Sequence, residues 1–171
     1  MAKLRKGVAY RKLERPYTRR SKYKSKGYVR GNPKNKIVMY DQGNQRAEYP
    51  SKIVLRSNDD VQLRHNAIES ARLTIGKHME RRVGKMNYKM RIRMYPHHVL
   101  RENPLAAGAG ADRMSTGMKR SFGKPIGVAA QVVKGKELFE IHAEKNHVKH
   151  AKKALQRAKY KLPCSCTVQV K

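Results

Sequence analysis

The chain has 171 residues, with 41 Lys and Arg against 12 Asp and Glu and a formal net charge of +29. Self-repulsion of that size disfavours a compact chain on its own, so a neutralising polyanion is expected, and nucleic acid is the commonest one. The cations run along the whole sequence instead of one amphipathic helix or the flank of an apolar span, which argues against a membrane surface as the partner.

Hydrophobic residues make up 39% and aromatics 6%, which suits one domain with a modest core and some segments too polar to fold unaided. No apolar run reaches the length of a membrane span, and the N-terminus lacks the apolar stretch of a signal peptide, so an intracellular protein is expected. Two cysteines, Cys164 and Cys166, do not make a disulfide framework.

Residues 1–36 carry fourteen Lys or Arg, one acid (Glu14) and four interleaved tyrosines, with hardly any large aliphatics. Such a segment buries too little to offset its ordering entropy. Cations beside flat rings suit RNA, with charge for phosphates and rings for exposed bases. We therefore expect an RNA-ordered arm. Its candidate contacts are Arg5, Lys6, Arg11, Lys12, Arg15, Tyr17, Arg19, Arg20, Lys22, Tyr23, Lys24, Lys26, Tyr28, Arg30, Lys34 and Lys36.

The remainder, 37–171, reads as a single α+β domain. Lys36–Asp41 and Lys52–Arg56 are short β-branched runs that predict strands. Asn58–Asp60 offers a helix cap, followed at helical spacing by Val61, Ala67, Ile68, Ala71, Ile75 and Met79, so a helix is predicted over 60–82. Asn87–Tyr95 alternates strictly, with Tyr88, Met90, Ile92 and Met94 on one face and Lys89, Arg91 and Arg93 on the other. Three like charges on one face repel, and a phosphate backbone would relieve them, so these three join the RNA candidates; a solvated polar face is the alternative.

Pro125–Lys134 and Glu137–Glu144 flank Gly135 and read as a hairpin. Asn146 is placed to cap a second helix bearing Val148, Ala151, Leu155, Ala158 and Leu162, stopped by Pro163. Cys164–Lys171 predicts a last strand with Cys164, Cys166, Val168 and Val170 on one apolar face. The fold class is α+β: a largely antiparallel sheet packed against two helices, with a basic N-terminal arm and a long Gly-rich central loop.

That loop follows the strand ending at Tyr95. From Ala106 to Gly123 it consists mainly of Gly, Ala, Ser and Thr, with Arg113, Lys119 and Arg120. Loops of such length in compact domains are commonly functional or disordered. No nucleotide-binding motif survives inspection. Gly108-Ala-Gly110 has Arg113 where a dinucleotide fingerprint needs glycine, and Pro125 follows Gly123-Lys124 where a P-loop needs Ser or Thr. Adjacent His97 and His98 cannot both face one metal, and both cysteines fall on an apolar stripe, so neither a metal nor a cofactor is expected.

Several segments resemble one family: Arg15-Pro-Tyr17-Thr, Gly31-Asn-Pro33, Asp41-Gln-Gly43, Tyr95-Pro-His97-His98-Val-Leu-Arg101, and above all AGADRMSTGMKRSFGKPIG, ending at Gly127. It is the large-subunit ribosomal protein family universal L-sixteen, in its archaeal and eukaryotic L-ten-e branch, the QM protein family. The resemblance spans essentially the whole chain, and the stop at Lys171 looks archaeal more than eukaryotic.

The resemblance implies a structural constituent of the cytoplasmic large ribosomal subunit, not an enzyme and not a homo-oligomer. It implies binding to large-subunit rRNA near the aminoacyl-tRNA site, with 5S rRNA as a further candidate, beside neighbouring large-subunit proteins, and late entry into assembly. His97, His98 and Arg101 of the shared motif join the RNA candidates. A loop at about 101–124 is implied to reach toward the peptidyl-transferase centre and tRNA acceptor ends, which assigns Arg113, Met114, Lys119, Arg120 and Lys124 to that neighbourhood. Two rivals remain: an RNA-modifying enzyme with a basic arm, and an architectural protein that compacts DNA.

Overall fold

Two antiparallel sheets and two helices make up the α+β fold seen in the computed structural model, which describes residues 4–16, 23, 25, 28–103, 110, 113 and 117–171. In chain order the elements are β1 (Asp41–Gly43), β2 (Ser51–Ser57), β3 (Val61–Arg64), α1 (His65–Arg82), β4 (Tyr88–Ile92), β5 (His98–Glu102), β6 (Lys124–Val132), β7 (Glu137–Ala143), α2 (Val148–Lys159) and β8 (Cys166–Val170). Short 3-10 turns occupy Gly117–Arg120 and Lys145–His147. The five-stranded sheet runs β1-β4-β7-β2-β8 and the three-stranded sheet β3-β6-β5.

The core lies between the larger sheet and the helices. Ile68, Ala71, Ile75 and Met79 form the fully buried stripe of α1, and Ala151, Ala154, Leu155 and Ala158 that of α2. Alanines on α2 let the two helix axes approach closely where they pack together. From β4 and β7, Tyr88, Met90, Phe139 and Ile141 close the other side, as strict alternation in both strands requires.

The structure departs from the sequence reading at several points. Residues 61–64 are strand, not helix: Val61 and Leu63 pair with Val132 and Ala130 of β6, and α1 begins only at His65. Two alternating apolar residues beside a sheet edge outweigh the helical spacing that continues from Ala67. Asn58–Asp60 does not cap a helix; Asp59 accepts from the Ser165 N–H at 3.0 Å and Asp60 from the Lys134 N–H at 2.6 Å, tying neighbouring loops together.

Pro125–Lys134 and Glu137–Glu144 are not a hairpin. β6 pairs with β3 and β5, whereas β7 pairs with β2 and β4, so the turn at Gly135 carries the chain between sheets. Lys36–Asp41 is not a regular strand. Ile37 is buried, Val38 is exposed, and the Ile37 N–H is satisfied by the Asn35 side chain instead of a ladder. His98–Glu102, read as part of a loop, is a strand in the smaller sheet. Among the described residues no side chain, Asn146 included, caps α2, and Val170 is exposed on β8 instead of facing the core.

Candidate nucleic-acid interface

The described part of the arm is laid against the smaller sheet. The Gln62 N–H donates to the Arg11 carbonyl at 2.8 Å, and the Gln62 side chain to the Tyr10 carbonyl at 3.0 Å. Gln131 donates to the Glu14 carbonyl at 2.6 Å, and Arg64 to the carbonyls of Arg5 and Lys6 at 3.0 and 2.8 Å. At the end of β5, Glu102 receives both the Arg5 guanidinium and the Tyr10 hydroxyl, the latter at 2.8 Å. These two bonds hold the Glu102 carboxyl below the usual carboxylate range. Burial, followed by the hydrogen bond to Glu102, pushes the Tyr10 phenol up to about 12. Docking relies on polar bonds to backbone, which is why a segment so poor in aliphatics can lie on the sheet.

Arg5, Lys6, Arg11, Lys12, Arg15, Tyr23, Tyr28, Arg30, Lys34 and Lys36 are all solvent-exposed. Tyr17, Arg19, Arg20, Lys22, Lys24, Lys26 and Met114, together with the side chain of Arg120, lie outside the described residues.

Both stems of the central loop belong to the smaller sheet, because Glu102 pairs with Lys124. There the Arg101 guanidinium sits 3.9 Å from the centre of the Phe122 ring and donates to the Phe122 carbonyl at 3.3 Å. Tyr28 and Arg30 reach the same cleft as Arg101 and Lys124. Three candidate RNA contacts, Tyr28, Arg30 and Arg101, are thus brought together with Lys124, assigned above to the tRNA neighbourhood. Arg113 and Lys119 are exposed in the loop itself.

A second grouping lies where His97 meets Tyr95. Their ring centres are 4.6 Å apart, and Tyr95 stacks on Tyr40 at 5.4 Å with 22° between planes. Lys34 lines the adjoining cleft. His98 is a correction: it is 2% exposed, with burial lowering its pKa, so it faces inward and is closed to an RNA contact. His97, just before β5, is exposed, whereas His98 begins the strand and is turned inward.

Lys89 and Arg91 of β4, with Arg93 just beyond its end, line one face, but they are not a bare row of charge. In register with Arg91 stand Asp41 on β1 and Glu140 on β7. Arg91 Nε bonds Asp41 at 2.7 Å and Lys89 Nζ donates to the Gln45 carbonyl at 3.2 Å. Arg93 lies 3.6 Å and Lys52 3.0 Å from the buried Glu140 carboxylate. Further along, Glu137 binds Arg56 at 2.9 Å and Lys171 at 3.1 Å, and these hydrogen bonds bring its carboxyl down to about 2. Much of the repulsion expected from sequence is relieved by carboxylates of neighbouring strands, although Lys52, Arg56, Lys89, Arg91, Arg93 and Lys171 still outnumber Asp41, Glu137 and Glu140 on this face.

Sequence reasoning missed two features. The ring contacts of Tyr40, Tyr95 and Phe122 were not legible because they depend on tertiary contact. The outward face of α2 presents exposed Lys149, Lys152, Lys153, Arg157 and Lys159, a stripe legible as Lys and Arg between the buried alanines. Among the described residues no group of His, Cys, Asp and Glu is placed to hold a metal ion, and no helix is long and apolar enough to cross a membrane.

Comparison with known proteins agrees with this picture. Residues 13–169 match the family model described as Ribosomal protein L16p/L10e. The large ribosomal subunit protein uL16 of Methanococcus aeolicus is 45% identical over 98% of this chain and 94% of its own length. The proteins of the same name from Archaeoglobus fulgidus and Staphylothermus marinus are 43% and 46% identical, covering 94% and 91% of this chain and 89% and 86% of theirs. A basic α+β domain whose loop stems, arm and strand face gather cations is therefore a member of the ribosomal protein L16p/L10e family.

Proposed function

We propose that this chain is a cytoplasmic structural protein of the large ribosomal subunit that binds rRNA and helps to position tRNA. The observation that carries this reading is the convergence of Tyr28, Arg30, Arg101 and Lys124 on the stems of the central loop. Cations and rings placed there would hold RNA at the root of a loop whose Arg113, Lys119 and Arg120 extend toward tRNA acceptor ends. The docked arm and the face of β4 supply further phosphate contacts, and the relatives named as large-subunit proteins support the setting. Its role is to place RNA, with peptide-bond chemistry left to the ribosome's own RNA. Late joining of the subunit, contact with 5S rRNA and contact with neighbouring large-subunit proteins belong to the same proposal.

Sedimentation of tagged protein from a lysate tests it: co-migration with large subunits through moderate salt is expected, and a free or DNA-bound pool would reject it. If about ten cations each neutralise one phosphate, log affinity for rRNA falls with log salt at a slope of roughly −7 to −9.

A further inference from the structure

A cleft of about 280 Å³ opens at the start of α1, walled by Arg5, Lys34, Lys36, Arg64, His65 and Glu102. We propose that this cleft is a phosphate site that takes a backbone phosphodiester of RNA at the N-terminus of α1; the assignment rests on the RNA-binding reading above. The helix is eighteen residues long, has no side-chain cap and has no acidic residue in its first turn. Among the described residues no side chain therefore caps its first N–H groups or offsets the positive end of its dipole.

The second observation is His65 itself. It is only 9% exposed, yet its Nδ1 has no hydrogen-bond partner among the described residues. The opposite edge of the ring rests over Gly127, where a Cβ would meet Nε2 at 3.6 Å. A buried ring nitrogen left unpaired beside a cationic cleft is costly unless a ligand satisfies it.

Charge in the wall is arranged for an anion. Glu102 is already taken up by Arg5 and Tyr10, and Arg64 is anchored on the arm carbonyls. Lys34 and Lys36 are exposed and make no ion pair among the described residues, so they remain for an incoming phosphate. Burial, then Lys36 and Arg64, hold the pKa of His65 below its ordinary value. An anion placed between these groups offsets the effect of the two cations, so phosphate binding draws a second proton onto the ring and makes both of its nitrogens donors.

The test uses the full chain with isotope-labelled histidine, observed by NMR, and two probes: a short oligouridylate and inorganic phosphate. Saturating oligouridylate is expected to shift the His65 ring signals and raise its pKa by about one unit. Lys36→Gln is expected to weaken oligouridylate binding about five- to tenfold, more than the same change at Lys152 on the outer face of α2. Because Lys36 is exposed, its replacement leaves the fold intact. Unmoved His65 signals with RNA bound at parent affinity to the Lys36 variant would overturn the site and leave RNA binding standing. No RNA binding at all would overturn both. A response to inorganic phosphate without one to RNA would reject the phosphodiester and make this a free-anion site.

Discussion

The side-chain amide of Gln42 fills the space where Gly76 lacks a side chain: a Cβ on Gly76 would lie 2.6 Å from Gln42 Nε2. From that position Gln42 donates to Glu80 at 2.9 Å and accepts from Arg72 at 3.2 Å, fastening β1 across the middle of α1. Glycine in a helix costs about 1 kcal/mol relative to alanine, and here that cost provides the close approach. Gly76→Ala should therefore destabilise the parent by about 1 kcal/mol through loss of the Gln42 bonds, yet stabilise a Gln42→Ala background by a similar amount. Urea unfolding of the four members of this cycle measures the change of sign, and additive effects would refute the coupling.

Gly123 meets backbone, with no flexible side chain to yield. A Cβ there would stand 2.6 Å from the Glu102 carbonyl carbon and 2.8 Å from the Asn103 nitrogen, at a φ of +77°. Gly123→Ala should lose roughly 2–3 kcal/mol and lower Tm by about 5–10 °C. Deleting residues 106–116 while keeping Gly123 should change Tm by far less, since loop closure depends weakly on length. Scanning calorimetry of the two variants tests the contrast.

Glu137 predicts a specific acid response. Its folded-state pKa of about 2 lies below the ordinary carboxylate value of 4.5, so its contribution is complete above pH 4.5 and is lost as pH falls toward 2. Because the cluster is partly solvated, that contribution should be about 1 kcal/mol. Glu137→Gln should be less stable than the parent at pH 7, with the gap closing near pH 2. Equilibrium unfolding at the two pH values checks this, and a gap that persists in acid would assign the loss to packing.

The latch on Glu102 predicts local opening of the arm. In Glu102→Gln the Arg5 ion pair is lost, and the Gln62 amide, which donates to Arg11, should exchange about tenfold faster while core amides of β2 stay protected. Hydrogen exchange on the free protein reads both. The docked residues 4–16 also make slow exchange at Gln62 the expectation for the parent, contrary to an arm that is free until RNA binds.

The strand face predicts an effect divided between binding and stability. Replacing Lys89, Arg91 and Arg93 by Gln should reduce the salt slope of rRNA binding by about 2–3, one phosphate per cation. Stability should fall by about 1 kcal/mol, because Lys52 still serves Glu140 when Arg93 is gone. An unchanged slope in filter binding across a salt series would remove this face from the interface.

Where a single periodicity governed a segment, it was legible. The alternation of Tyr88, Met90 and Ile92, and the stripes of α1 and α2, follow from residue spacing alone. What stayed hidden depends on partners distant in sequence. β5 spans only five residues and is a strand because β6 lies beside it, and Val61–Arg64 is a strand for the same reason. The separation of β6 from β7 was illegible because a turn glycine serves a crossover as well as a hairpin. Among the site residues, Arg101 and Lys124 were identifiable as cations of a loop stem, but the Phe122 ring beneath Arg101 was not, and the inward turn of His98 followed only once β5 was known.

β3 passes into α1 at Arg64–His65 with no residue between them. The sheet that carries both loop stems and the helix that fills the main core are thus one continuous piece of chain without a joint. A load applied at Glu102 or Lys124 passes through β6 and β3 directly into α1, where Ile68, Ile75 and Met79 are wholly buried. The root of the loop is therefore joined to the core without a break, and a partner pressing on the loop would meet a fixed mount instead of a hinge.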